Sequence, residues 1–256
     1  MPPTGRPATR RLAAVERALR VLDAFAEVGG DAGTNELARV TGINASTVSR
    51  ILATLVAAGY VQHRPESGRY RIGAQVLRLS SHALGGVDLR SAARPHLDAL
   101  ADETGETATL SVPGDPDAVT IDFVLSRASV GAVARVGRPS IAHATATGKV
   151  MLAFAAHELP AGPLAAYTER TITDRARLAQ EVEIVRREGH AHATGEREPD
   201  LNAVAVPVFG RPGSLIAILG VQGPESRFGA RAQDAAVAAL LPHALALSGA
   251  LGYAEP

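Results

Sequence analysis

The chain has no cysteine, which excludes disulfides and thiolate-bound metals and fits a reducing cytoplasm. Nowhere do apolar residues run for the ~20 positions a membrane-spanning helix needs. The opening Met1-Pro-Pro-Thr-Gly-Arg-Pro-Ala-Thr-Arg-Arg lacks the apolar core of a signal peptide, so residues 1–12 read as a flexible basic arm. A cytoplasmic protein without a membrane partner is expected. Lysine occurs once, at Lys149, and arginine carries the remaining positive charge.

Signatures of catalysis are missing too. There is no Gly-x-Ser-x-Gly elbow and no Gly-x-Gly-x-x-Gly loop. Thr147-Gly148-Lys149 resembles the end of a phosphate-binding loop, but His143 stands where its first glycine belongs and Val150 where its closing Ser or Thr belongs. His190 and His192, with Glu196 and Glu198, suggest a metal. Two histidines two positions apart nevertheless share a strand face by alternation alone, and the further ligand spacing is lacking. The dispersed carboxylates Asp122 and Glu196 have no spacing that favours catalysis. No catalytic residue, metal or cofactor is expected.

What is present is organised. A length of 256 residues suits one small and one medium domain. Net charge is zero, yet Met1 to His82 hold eleven arginines against six acids, +5, so the remainder carries −5. A basic head supplies the sequence-independent attraction that DNA binding needs, and an acidic body is repelled from phosphates.

Within the head, Thr34-Asn-Glu-Leu-Ala-Arg-Val-Thr-Gly-Ile-Asn-Ala-Ser-Thr-Val-Ser-Arg-Ile-Leu52 reads as two short helices joined by a glycine turn. Thr34 is expected to cap the first helix, Gly42 to close it in a left-handed conformation, and Asn44 to cap the second. Small Ala38 suits a close helix crossing. Val48, Ile51, Leu52 and Leu55 fall at i, i+3, i+4 and i+7, a buried stripe. The opposite face carries Ser46, Thr47, Ser49, Arg50 and Thr54, hydroxyls for phosphates or base edges and a guanidinium suited to guanine O6 and N7. Gly59-Tyr-Val-Gln-His63 and Arg69-Tyr-Arg-Ile72, joined by Arg64-Pro-Glu-Ser-Gly68, read as a β-hairpin. This is the pattern of a winged helix, with Tyr70 and Ile72 expected inward, Arg69 and Arg71 outward, and Arg64 near the tip.

The order Ala14-Val-Glu-Arg-Ala-Leu-Arg-Val-Leu-Asp-Ala-Phe25, the helix-turn-helix, Gly59-Tyr-Val and Gly68-Arg-Tyr-Arg-Ile-Gly73 resembles the head of the IclR family of bacterial transcriptional regulators. Gly105-Glu-Thr107, Val136-Gly-Arg-Pro139, His143-Ala-Thr-Ala-Thr-Gly-Lys149, Leu152-Ala153, Arg186-Arg-Glu-Gly189, Glu196-Arg-Glu-Pro199, Ala205-Val-Pro-Val208 and Gly223-Pro224 continue it. The likeness covers about Ala13 to Tyr253. It implies an α+β chain: a winged helix-turn-helix over 13–73, a linker helix over 74–90, and a GAF-like effector-binding and oligomerisation domain with a mainly antiparallel sheet over 91–256. Val76, Leu77, Leu79 and Leu84 give the linker helix one apolar stripe to pair with a partner.

The body's own pattern agrees with that class. Helices are expected over Arg94 to Thr104, Thr147 to Ala156, Ala176 to Glu188 and Ala230 to Leu251, the last kinked at Pro242. Strands are expected over Thr107 to Val112, Ala118 to Ser126, Ala132 to Val136, Gly189 to Thr194, Leu201 to Phe209 and Ser214 to Gln222. In the second of these, Val119, Ile121, Phe123 and Leu125 form the apolar set.

The resemblance implies an effector pocket built from small residues before the Gly-Lys pair, an acid after the Arg-x-x-Gly helix, a cysteine on the next strand and two serines before Gly-Pro. The matching positions here are Ala146 and Thr147, Ala193, Ala203, and Gly220 and Gln222. His192 and Leu201 join them as candidates. With the acid, cysteine and serines replaced, a roomier, less polar site is expected, taking an effector larger or more apolar than a two- or three-carbon oxoacid.

The function expected is a ligand-responsive regulator binding a near-palindromic double-stranded DNA operator as a homodimer or homotetramer. Arg50 is the foremost base reader, with Ser46, Thr47 and Ser49 beside it. Arg64 and Arg69 belong to the wing, Arg17 and Thr34 hold the DNA backbone, and Asn44, the cap of the second helix, counts with the DNA-binding residues. The alternative is a small-molecule-binding or catalytic α+β protein whose winged helix contacts protein, against which the basic face of Arg50, Arg64, Arg69 and Arg71 argues.

Overall fold

A computed structural model describes residues 12–76, 79, 89–128, 134–155, 158–210 and 213–253. They belong to two compact units, one ending at Gly86 and the other beginning at Val87. Residues 1–11 of the basic arm and most of the linker helix lie outside the described residues; of the latter, Ala74, Gln75, Val76 and Leu79 are helical.

In the first unit, α1 (Ala13–Val28) stops at Gly29, whose φ of 75° places its N–H on the Phe25 carbonyl. α2 (Thr34–Thr41) ends at Gly42 with φ 68°, and α3 (Ala45–Ala57) follows after two residues. The Asn44 side chain caps α3, its Oδ1 accepting the Thr47 N–H at 2.8 Å. Thr34 does not cap α2. It is the first helical residue; Gly33 holds the cap position, and the Glu36 carboxylate three residues on accepts the Gly33 N–H at 3.4 Å. An acid at this third position serves the cap backbone directly, so no cap side chain is required.

Val48, Leu52 and Leu55 of α3 are buried with Val21 and Phe25 of α1 and Leu37 of α2. The wing pairs β1 (Val61–Arg64) with β2 (Arg69–Ile72), antiparallel. Ala32 adds a one-residue bridge to Tyr70 through two backbone hydrogen bonds of 2.8 and 2.9 Å. Tyr70 packs inward as expected. Ile72 does not: at the end of its strand it stays 39 % exposed, while its cross-strand partner Val61, 2 % exposed, fills the inward place.

The second unit opens with α4 (Leu89–Thr104), which runs through Pro95. A proline reads as a first-turn residue, hence the later start expected from sequence. Then come β3 (Thr107–Val112), β4 (Ala118–Val124), β5 (Pro139–Ser140), α5 (Ala146–Phe154), α6 (Arg175–Glu188), β6 (Ala191–Thr194), β7 (Leu201–Phe209), β8 (Leu215–Pro224) and α7 (Ala230–Ala250). One sheet runs β5-β4-β3-β8-β7-β6, every pair antiparallel. α4 and α7 pack together on one face, and α5, backed by α6, covers the other. With both faces covered, β7 is buried almost throughout, as its apolar run Ala203-Val-Ala-Val-Pro-Val208 requires.

Two strand expectations are corrected. Of Ala132 to Val136, the described part, Ala134 to Val136, is irregular and enters a turn at Gly137, φ 80°; the edge strand lies at Pro139–Ser140. In β4 the buried residues are Ala118, Thr120 and Asp122, and the apolar Val119, Ile121 and Phe123 are half-exposed. The register jumps from Leu110↔Asp122 to Ser111↔Thr120, so Ile121 bulges and its neighbours turn to opposite faces. α7 continues as helix through Pro242.

The Asn44 cap generates a stability expectation. Asn44→Ala should lower the unfolding free energy of the head by about 1 kcal/mol, read as a smaller midpoint in urea with an unchanged slope.

Candidate DNA interface and effector pocket

On α3, Ser46, Ser49, Arg50 and Thr54 are exposed and Thr47 is half-exposed. Two of these hydroxyls are committed locally: Ser46 Oγ donates to Asn44 Oδ1 at 2.9 Å and Thr54 Oγ1 to the Arg50 carbonyl at 3.1 Å. The Arg50 guanidinium takes part in no ion pair or hydrogen bond among the described residues. Arg17 of α1 shares with Arg50, Thr47 and Thr54 the lining of a groove between α1 and α3. Two cations therefore flank one surface of the recognition helix.

The wing arginines are placed differently. Asp31, in the loop before α2, accepts Arg71 Nε at 2.9 Å and faces Arg64 Nε at 3.6 Å through its carboxylate. Its carbonyl accepts Arg69 Nε at 3.0 Å, and Glu36 accepts Arg69 Nη2 at 2.7 Å. Hydrogen bonding from Arg71 holds the Asp31 carboxyl below its ordinary range. All three arginines keep roughly two-fifths of their side chains exposed. Arg69 and Arg71 thus lean back onto the loop before α2, fixing the wing, and do not point freely outward.

In the second unit, Thr145 caps α5, accepting the Gly148 N–H at 3.0 Å and donating to the Ile141 carbonyl at 2.9 Å. A Cβ at Gly148 would lie 2.4 Å from the Ile141 carbonyl oxygen, so only glycine lets the helix start so close to this segment. That start sets Ala146 and Thr147 on a cavity of about 60 Å³, together with Ala193 of β6, Leu201 and Ala203 of β7, and Gln222 of β8. Gly220 underlies the same region, where a Cβ would meet Thr109 Oγ1 at 2.9 Å and Thr147 Oγ1 at 3.7 Å. His192 lies elsewhere. Alternation along β6 turns it away from Ala193 to the α7 face, where its Nδ1 meets Gln233 Oε1 at 3.0 Å.

The cavity is not the apolar site expected. Arg135, Arg138 and Arg197 line it, with Glu196 and Glu198. Arg138 pairs with Glu198, and Arg197 Nη1 donates to the Pro139 carbonyl at 2.6 Å. Burial and then the neighbouring Arg138 charge push the Arg197 pKa down, the mark of cations crowded together. Behind the wall, Lys149 is 1 % exposed and donates to Glu196 Oε1 at 2.7 Å, the His192 carbonyl at 2.9 Å and Glu181 Oε1 at 3.0 Å. This burial also removes Lys149 from any phosphate-loop role.

The two units match two adjoining family profiles, the IclR helix-turn-helix domain over residues 14–65 and the bacterial transcriptional regulator IclR C-terminal domain over residues 81–249. The chain belongs to the IclR family. It is 32 % identical to the HTH-type transcriptional regulator XynR of Escherichia coli over 93 % of this chain and 97 % of that one. To the transcriptional repressor IclR of the same organism it is 30 % identical, covering 86 % and 83 %. Among solved structures, the IclR transcriptional regulator of Alicyclobacillus acidocaldarius superposes with a TM-score of 0.76 at 28 % identity, covering 95 % and 100 %. An IclR homolog of Microbacterium hydrocarbonoxydans complexed with 4-hydroxybenzoate does so at 0.75 and 25 %, covering 93 % and 99 %. This IclR protein is accordingly a ligand-responsive, DNA-binding transcriptional regulator.

Of the eight pocket positions expected in this IclR chain, Ala146, Thr147, Ala193, Leu201, Ala203 and Gln222 line the one cavity. The arginines were missed. Their signal was available in Val136-Gly-Arg138-Pro139 and Glu196-Arg197-Glu198, where arginine beside glutamate reads as surface charge until the fold turns both loops inward. One consequence is energetic. Lys149→Met should destabilise the second unit by about 3–5 kcal/mol, because Glu196 is left as a buried, uncompensated charge. Chemical denaturation checks it, and adding Glu196→Gln should recover part of the loss.

Proposed function

We propose that this regulator acts in the cytoplasm as a homodimer or homotetramer whose paired α3 helices enter successive major grooves, about 34 Å apart, of a near-palindromic operator. Arg50 reads a base edge, with Ser46, Thr47 and Ser49 against the same site. Arg17, Thr34 and Asn44 approach the DNA backbone, and Arg64 and Arg69 carry the wing to it. The observation that supports Arg50 is its freedom: it alone on the exposed face of α3 offers an uncommitted guanidinium.

The effector is a small organic anion. Three arginines around a cavity with two glutamates leave a net positive lining, and one glutamate is already held by Lys149. The effector acts by its difference in affinity for two arrangements of the protein, since equal affinity shifts nothing.

A gel shift on DNA from beside the regulator's own gene, titrated against salt and competitor, is the first check. Specific, salt-sensitive retardation is expected. Arg50→Ala should narrow the gap between operator and random DNA by about 1–3 kcal/mol, and unchanged discrimination removes Arg50 from base reading. Asp31→Ala should weaken specific and nonspecific binding together, because it frees the wing without touching a base; loss confined to the operator would contradict that positioning role.

A further inference from the structure

The DNA interface and the cavity leave His96 and His243 unused, and these two side chains meet across the seam between α4 and α7. Their Nδ1 atoms lie 2.9 Å apart, with the rings at 76° and the centroids separated by 5.2 Å. His243 Nε2 faces Glu103 Oε1 at 3.4 Å. Both imidazoles are half-buried. Among the described residues Glu103 is the one charged group in contact with either ring. α4 and α7 also pack on β3, β4, β7 and β8. From that sheet the charged group turned toward α4 is Asp122, which Arg90 and Arg94 face at 3.9 and 3.5 Å, and Arg94 faces Asp98 as well. Among the described residues no third ligand joins the two histidines to make a metal site.

An imidazole nitrogen either carries a proton or offers a lone pair, so the two Nδ1 atoms form a hydrogen bond only while one is protonated and the other is bare. Two neutral rings meet that condition. Glu103 favours the proton of His243 on Nε2, which leaves its Nδ1 to accept from His96. One added proton also meets it, because three protons on four nitrogens still leave one Nδ1 bare. A second added proton does not: both Nδ1 atoms then carry hydrogen, and two cations face each other. We infer that the His96–His243 contact is a proton-sensitive latch between α4 and α7, which holds with no added proton or with one and opens with the second. Burial and then the His243 charge push the His96 pKa down, as a pair that resists double protonation requires. In the unfolded chain each imidazole takes its proton near the ordinary value of 6.5, so below that value the unfolded state binds more protons than the folded one. The stability the latch contributes is therefore whole above the ordinary histidine range and is lost as pH falls through it. The element released is α4, which opens the second unit.

The test is chemical denaturation of the full chain on either side of the histidine range, at about pH 7.5 and about pH 5, with His96→Gln beside the intact protein. The amide can present its oxygen or its NH2 to His243 Nδ1, so the variant keeps the contact whether or not its partner is charged. Between the two pH values the folded-to-unfolded ratio of the second unit should fall about tenfold further in the intact protein than in the variant, the equivalent of one pKa unit. The remaining histidines are common to both chains and cancel in the comparison. An equal fall in the two would overturn the latch. A second readout needs no variant: in a nuclear magnetic resonance titration of the intact protein, the two imidazoles should take up their protons in two steps more than about one unit apart. Both rings titrating together at the ordinary histidine value would overturn the inference, even where His96→Gln folds poorly.

Discussion

The body of the regulator depends on burying its only lysine. Taking an ammonium out of water is costly unless every proton finds an acceptor, and Lys149 finds three, drawn from α6, from the backbone of β6 and from the turn after it. Those acceptors fix where α5 lies over the sheet. Because the same turn of α5 brings Ala146 and Thr147 to the cavity, the ion cluster and the pocket share one geometric constraint. Gly148 completes it from the other side, pressed on the Ile141 and Ala142 backbone where no Cβ fits. An arginine at 149 would carry the charge but not the shape: its planar fork does not deliver three donors to acceptors arranged around a point.

The head solves a comparable problem with the opposite geometry. Its ion cluster is half-exposed, and arginines converge on Asp31, whereas in the body carboxylates converge on a lysine. Exposed pairs contribute little to stability individually. What the cluster supplies is position: it ties β2 to the loop before α2, beside the Ala32 and Tyr70 bridge. A depressed Asp31 pKa has a definite sign. The attachment is complete above the ordinary carboxylate range and is lost as pH falls through the lower folded value.

How much of this was legible in the chain follows from range. Features decided within one or two turns were readable: the left-handed Gly42, the Asn44 cap, the buried stripe of α3, the bounds of β3 and β7. Where a neighbour's contribution intervenes, local reading failed. Thr34 lost the cap position because Glu36 serves the Gly33 backbone. β4 buries the opposite phase of its alternation, with Thr120 toward the cavity and Asp122 toward Arg94 of α4 on the other side of the bulge at Ile121. His192 was grouped with its neighbour Ala193 although one step along a strand is a change of face. The pocket shows both outcomes at once. Its small residues were placed by their motifs, whereas its arginines lie on loops whose direction no periodicity records, and the polarity of the site went unread with them.

A site lined by cations and closed by a buried carboxylate has a further consequence for how a ligand is felt. An anion entering beside Arg138 would compete with Glu198 for the same guanidinium, so binding and packing would not be independent energies there. Coupling of that kind is reciprocal: an arrangement of the protein that releases Arg138 from Glu198 would favour the anion, and the anion would favour that arrangement over its alternative.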